Sequence, residues 1–427
     1  MKKYFIIAAA AIVAMAACSK VDAVDNSPAK KIAFEVASYT PQTKANSSLA
    51  SEFYQFHTYA YQFPTLGDPV VFMDETIQAW KSTTGGHIDA NKAAASTDAI
   101  VEWAPAEDYF WPKTGHINFY SYAGTKSPKE STAANAADDD LTTVSFTYEN
   151  VTIAANDNIL VAEPALGKTR ANSGASAYDV DPGETASNHI TKGVPTLFHH
   201  MLTKIEFDVK LKTATTNSNV WKVTVLDEFD SDHKSQLIAY NQGTLALTST
   251  LASNGSGVWT PSILTAETAS STAVQWVPTT SGTTEEITLE SEEMTLPANA
   301  ETSGNAVTLL ALRSVMPQLS SGVKLSLTYK VEAYHDTAKY LEEIRTVGLD
   351  EAVAGTYVDK YLSDLVNSSV INWLPNKKIT YHILIDPVTE KVTFDPAVED
   401  FDPVTGNAAG NIDINENGIV PPATQNP

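Results

Sequence analysis

Apolar and polar residues alternate with a period of two through much of this chain. Ile32, Phe34 and Val36 alternate with Ala33, Glu35 and Ala37, the pattern of a half-buried strand. The same grammar returns at 53–61, 117–122, 144–148 and 159–162, between stretches rich in Gly, Pro, Asn, Asp and Ser. A second series opens near residue 200, where Ile205, Phe207, Val209 and Leu211 share one face of a long alternating run. It continues at 221–226, 243–247, 287–289, 307–312, 323–331, 379–385 and 391–394. The Ala-rich stretches 93–101 and 131–141 are allowed at most a short helix or a loop. The best helical candidate is 351–365, read as an insertion before the last hairpin. Many short strands with turns between them and no alternating helices predict an all-β chain of antiparallel sandwiches, two in tandem, with a boundary near 191–197.

Composition narrows the class. The 427 residues are 43% hydrophobic and 19% charged, which excludes a wholly disordered, collagen-like or many-spanning membrane chain. The formal charge of −23 disfavours a nucleic-acid or anionic-lipid surface by repulsion. A single cysteine, Cys18, forbids any intrachain disulfide or Cys-based metal cluster. Lys2 and Lys3 precede an apolar run over 4–17, shorter than the roughly 20 residues of a bilayer-spanning helix, so it reads as an export signal. Small residues, Ala16 and Ala17, stand directly before Cys18, the form of a bacterial lipoprotein cleavage site, and Cys18 then becomes an acylated first residue. The alternative is an ordinary signal peptide followed by a chance cysteine.

Other chemistry reads as weak. Asp413 to Gly418 opens like a calcium loop, but its twelfth position is Thr424 rather than a bidentate Glu, and a turn is the better reading. Asp138, Asp139 and Asp140 read as a solvated charge run. His199 and His200 are adjacent, so on a strand they face opposite sides and do not share one metal. No nucleophile elbow, paired zinc-binding histidines, phosphate loop or dinucleotide fingerprint is present. The many carboxylates leave a glycosidase pair open on spacing alone. Trp80, Trp103 and Trp111 read either as a sugar platform or, more commonly for aromatics on short strands, as core.

Several local motifs stand in one order: Cys18 after the signal; Ile32-Ala33-Phe34 leading to Thr43-Lys44-Ala45; Tyr109-Phe110-Trp111-Pro112 before Ile117-Asn118-Phe119-Tyr120; Asp157-Asn158-Ile159-Leu160; Phe198-His199-His200-Met201-Leu202-Thr203-Lys204; Met316-Pro317-Gln318; and Trp373-Leu374-Pro375-Asn376-Lys377. In these the chain resembles the fimbrillin-like lipoproteins of Bacteroidia, the subunits and anchors of type V pili, over nearly the whole mature sequence. It departs at the closing position, where the family often carries Trp and this chain has Phe401.

The resemblance implies two transthyretin-like, Greek-key β-sandwich domains with few short helices, and polymerisation by donor-strand exchange. It further implies that a trypsin-like surface protease cuts after a basic residue near the start. Lys44, followed by Ala45, stands at that place, and cleavage there discards Ile32, Phe34 and Val36; Lys44 reads equally as a solvated loop lysine. A removed strand leaves unpaired backbone groups and apolar sockets that an extended segment of another molecule completes. The donor candidate is the tail, where Ile412 and Ile414 alternate with polar residues and Ile419 and Val420 follow; the alternative is a disordered tail.

The expected layout is therefore a signal peptide (1–17), a lipidated prosegment (18–44), an N-terminal sandwich (45–196), a C-terminal sandwich (197–400) and a donor tail (401–427). The expected role is a non-enzymatic fimbrial subunit at the outer membrane surface, without cofactor or metal. Its partners would be copies of itself or related subunits, and the lipid on Cys18 would anchor it. A surface-anchored glycan-binding lipoprotein, or an anchor or tip component of the same pilus, are the alternatives.

Overall fold

The structure is a computed structural model that describes residues 31–36, 55–83, 86–89, 100–134, 141–169, 193–196, 198–212, 219–250, 259–260, 276–279, 284–296, 306–319, 322–353, 356–365, 372–400, 414–415 and 418–419. Cys18, Lys44, Ala45, Ile412 and Val420 lie outside the described residues.

The alternating segments form strands, as their periodicity demands. In chain order these are β1 (Phe34–Val36), β2 (Gln55–Phe63), β3 (Val70–Thr83), β4 (Gly86–Asp89), β5 (Ile100–Pro105), β6 (His116–Gly124), β7 (Lys129–Ala134), β8 (Leu141–Thr152), β9 (Ile159–Ala162), β10 (Ala165–Lys168), β11 (Val194–Thr196), β12 (Phe198–His200), β13 (Thr203–Leu211), β14 (Val220–Leu226) and β15 (Gln236–Tyr240). They continue with β16 (Gln242–Thr250), β17 (Trp259–Thr260), β18 (Val277–Pro278), β19 (Thr284–Thr288), β20 (Glu292–Leu296), β21 (Val307–Val315), β22 (Lys324–His335), β23 (Ala338–Val347), β24 (Leu349–Val353), β25 (Thr356–Asp359), the single-turn helix α1 (Leu362–Leu365), β26 (Lys377–Asp386), β27 (Lys391–Asp400), β28 (Ile414–Asn415) and β29 (Gly418–Ile419).

The first body is built on a ten-stranded sheet ordered β11-β1-β5-β3-β2-β6-β9-β12, with β10 beside β6 and β4 beside β3. Its two ends, β11 and β12, are consecutive in the chain with only Leu197 between them. Two residue steps span at most about 7 Å, so the ends of the sheet meet and the sheet folds over on itself. Its inner face buries Ile32, Phe34, Phe56, Met73, Ile77, Trp103, Ile117, Phe119, Leu160, Val194 and Phe198 in one apolar cluster drawn from this sheet and the residue leading into it. The outer face of β2, β6 and β9 is covered by a second sheet, β17-β16-β8-β7 with β18 beside β16. Tyr61, Tyr120 and Val161 there pack with Phe146, Tyr148, Leu245, Leu247, Trp259 and Trp276.

The second body is a two-layer sandwich. One layer is β21-β13-β26-β27; the other is β19-β15-β22-β14-β20 with β23 beside β22. The apolar face predicted for β13 is fully inside, and β13 lies parallel to β26 with Phe207 opposite Tyr381. Their rings stack at 4.6 Å and 15°. The Trp373 indole N–H donates to the Tyr381 hydroxyl at 2.9 Å, which gives each buried polar group a partner.

Three expectations change. The units 45–196 and 197–400 are not separate along the chain: β12 belongs to the first sheet, and β16 pairs with β8 from Gln242 opposite Thr152 to Thr250 opposite Thr143. Alternation marks Leu245 and Leu247 as strand residues but carries no information on which sheet receives them. The segment 351–365 is a β24–β25 hairpin with one helical turn after it, because Thr356, Tyr357 and Val358 favour the extended chain. Residues 129–134 form β7, a sheet edge, rather than a loop.

Candidate functional site

Strand β1 is three residues long and sits inside the first sheet rather than at its margin. It runs parallel to β11, with Phe34 opposite Val194, Glu35 opposite Pro195 and Val36 opposite Thr196. On its other side a single antiparallel pair, Phe34 with Trp103, joins it to β5. Among the described residues β11 has no other strand partner than β1. Eighteen residues, 37–54, lie between β1 and β2, so no tight hairpin ties β1 to the next strand.

Two side chains seat the strand. Ile32 is 0% exposed and Phe34 is 4% exposed, whereas Ala33 between them is half-buried. The Phe34 ring meets Phe56 edge-on at 5.5 Å and 78°, and Phe119 at 5.6 Å and 88°. Phe56 in turn contacts Phe198 at 5.3 Å and Trp103 at 5.8 Å. Edge-to-face pairs of this kind add to the area term, roughly 0.5–1.5 kcal/mol each.

The ladders of β1 are short, and two backbone hydrogen bonds add to them. The Ile32 N–H donates to the Tyr109 carbonyl at 2.8 Å and the Val194 N–H donates to the Ala33 carbonyl at 2.8 Å. Pro195 has no N–H to offer. The backbones approach so closely that a Cβ on Gly193 would lie 2.4 Å from the Ala33 carbonyl oxygen and 2.6 Å from the Phe34 nitrogen. Lys31 and Asp108 form an ion pair at 2.8 Å where the strand begins, at a solvated position that contributes little.

Sequence reasoning singled out Ile32, Phe34 and Val36; the structure brings Ile32 and Phe34 into the cluster and pairs Val36 with Thr196 through the backbone. It gave Gly193, Trp103 and Phe198 no part in seating that strand. Of these only the Gly193-Val194-Pro195 run carries a local signal, a glycine at a close backbone approach. In the tail, Ile414 pairs with Ile419 in a two-stranded hairpin of four residues, which is not the single extended run expected of a donor. The turn reading of the calcium-like segment falls on that hairpin's two connecting residues, outside the described ones.

The remaining candidates sit elsewhere. His200 Nδ1 is 2.8 Å from Asn158 Oδ1, and His199 Nε2 is 3.5 Å from Glu163 Oε1. Among the described residues no group of three or more His, Cys, Asp or Glu could hold a metal ion. Trp103 is buried in the core and Trp111 packs against Phe119 at 5.9 Å, so these two do not form an open platform. No helix among the described residues is long and apolar enough to cross a membrane.

No family model and no curated protein matches this chain. Solved structures do. A fimbrial protein from Bacteroides vulgatus is 16% identical with a TM-score of 0.45, covering 87% of this chain and 99% of that one. A candidate cell adhesion protein from Bacteroides uniformis is 13% identical with a TM-score of 0.36, covering 87% and 98%. The fimbrial anchor protein Mfa2 from Porphyromonas gingivalis is 7% identical with a TM-score of 0.25, covering 88% and 99%. The structural neighbours are thus fimbrial and candidate cell adhesion proteins, the group that the motifs of this chain resemble.

Proposed function

We propose that this protein is a non-enzymatic subunit of a cell-surface fimbria, joined to its neighbours by exchange of the first strand. The observation that carries this reading is the seating of β1: it completes a folded-over sheet, is the sole strand neighbour of β11 among the described residues, and buries Ile32 and Phe34 in the core. A cut anywhere in 37–54 falls between β1 and β2, which do not pair with each other. Its loss exposes a slot of aromatic sockets and unpaired backbone, which an incoming extended segment refills.

In this reading the chain is exported, acylated at Cys18 and held at the outer membrane. A trypsin-like protease then cuts between Lys44 and Ala45, releasing the lipid together with Ile32, Phe34 and Val36. The tail, through Ile412, Ile414, Ile419 and Val420, serves as donor to the next molecule. Its hairpin of four paired residues is marginal in isolation and opens at small cost. Insertion of one chain into the next is heterologous and does not close, so it propagates a fibre.

The test uses the full chain with a recognition sequence for a site-specific protease in place of residues 40–48. Cutting is expected to convert monomers into fibres visible by sedimentation and electron microscopy, and removal of 402–427 to leave the cut protein monomeric. Cut protein that stays monomeric at high concentration overturns the reading. Sequencing of the surface-assembled form should begin at Ala45, and deletion of Cys18 should abolish lipid labelling.

A further inference from the structure

We infer that the β1 slot selects its occupant by an aromatic side chain at the Phe34 seat, so that its best-fitting partner is a segment of a different chain and the tail of a second copy of this one fits more weakly. The inference rests on the strand-exchange reading above and deepens it by naming the partner's chemistry.

The seat is aromatic on several sides. Phe34 touches Phe56 and Phe119 edge-on, and Phe56 is itself wedged against Phe198 and Trp103. A planar ring satisfies two such edges at once; a branched aliphatic side chain is shorter, lacks the ring quadrupole and leaves part of the socket empty. The seat two residues earlier, filled by Ile32, is closed to solvent and takes a branched aliphatic group. Direction is set by the parallel pairing with β11, and closeness by Gly193, whose missing Cβ admits the occupant's backbone. The slot therefore reads a strand of the form branched aliphatic, any residue, aromatic, running parallel to β11.

The tail of this chain does not carry that signature. Residues 402–427 contain no Phe, Tyr or Trp, and their best alternation is Ile412-Asp413-Ile414, which places an isoleucine where the ring belongs. The best-fitting partner is thus an extended segment of another protein with an aromatic residue two positions after a branched aliphatic one, and the tail of this chain fills the same slot with lower affinity.

The experiment follows fluorescently labelled peptides binding to the full chain cut within 40–48, with departure of the native amino-terminal fragment monitored by mass. A peptide of residues 30–38 is expected to bind. Its Phe34→Ala form should bind about 100-fold or more weakly and its Phe34→Ile form about tenfold more weakly. A tail peptide of residues 409–421 should be at least about tenfold weaker than 30–38, and its Ile414→Phe form should recover about that factor. A tail peptide as tight as 30–38, or no gain from Ile414→Phe, overturns the aromatic selection while leaving the slot intact. A native fragment that no peptide displaces, or a slot that 30–38 itself does not refill, counts against the proposed function.

Discussion

Pro195 stands opposite Glu35 and has no N–H to donate, so the buried side chains of Ile32 and Phe34 add to a short ladder on β1. Replacing Phe34 by Ala is expected to cost about 3–5 kcal/mol, read from the denaturant midpoint, whereas Lys31→Ala, which removes a solvated ion pair to Asp108, should stay within about 1 kcal/mol. Gly193→Val should mimic loss of the strand, since the new Cβ collides with the Ala33 and Phe34 backbone; an unchanged midpoint would contradict the close approach. Where β9 ends against β12, burial pushes the Glu163 carboxyl up to about 7 and holds the His199 imidazole down to about 4. At 3.5 Å the two are too far apart for a good hydrogen bond, and neither offsets the other's desolvation. A carboxyl with a raised folded value contributes stability that is complete below about 4.5 and is lost as pH rises through about 7. The imidazole acts in the opposite sense: its lowered folded value means stability is lost as pH falls from about 6.5 through 4. Glu163→Gln, which cannot ionise, should therefore gain on the parent protein between pH 5 and 8, by up to about 3 kcal/mol, and match it near pH 4.5. Melting temperature against pH checks this, and a difference that does not change across that range would refute it.

At the scale of elements, the strands with strict alternation were legible and their partners were not. Ile205, Phe207, Val209 and Leu211 announce β13 from the sequence, and 379–385 announces β26, but nothing local says that two strands more than 170 residues apart lie parallel. Strand β3 escaped notice because its buried Met73 and Ile77 are interrupted by Asp74 and Glu75, and its most apolar stretch, Val70 and Val71, is exposed. The site divides in the same way. Ile32 and Phe34 alternate visibly, while their lining residues, Trp103, Phe119, Gly193 and Phe198, converge only through the folding-over of the sheet. The excursion β16–β18 is the least legible element, and two indoles fix it: Trp259 donates to the Ala162 carbonyl at 2.7 Å and Trp276 to the Met201 carbonyl at 2.8 Å. Trp259→Ala, although it lies in the second half of the sequence, should accelerate amide hydrogen exchange in β9 and leave β26 protected. Faster exchange in β26 with β9 unchanged would deny that this tryptophan belongs to the first body.

At the scale of the molecule, β15 lies in the second body and β16, after the single residue Asn241, lies in the first. The two bodies are therefore expected to melt in one cooperative transition, so that Phe207→Ala in the second core lowers the temperature at which signals from both bodies are lost; two resolved calorimetric peaks would show that they are independent. The formal charge of −23 sets copies repelling one another at low ionic strength, so fibre growth from cut protein should quicken as salt rises from about 10 to 150 mM, the opposite of the trend for assembly led by attraction between opposite charges. The shared outer sheet also dictates a timetable. Thr152 waits for Gln242, and Phe146 and Tyr148 stay uncovered until Trp259 and Trp276 have emerged, so an amino-terminal half that appears first cannot finish by itself. A polypeptide wired in this way postpones its own consolidation until most of its length is available.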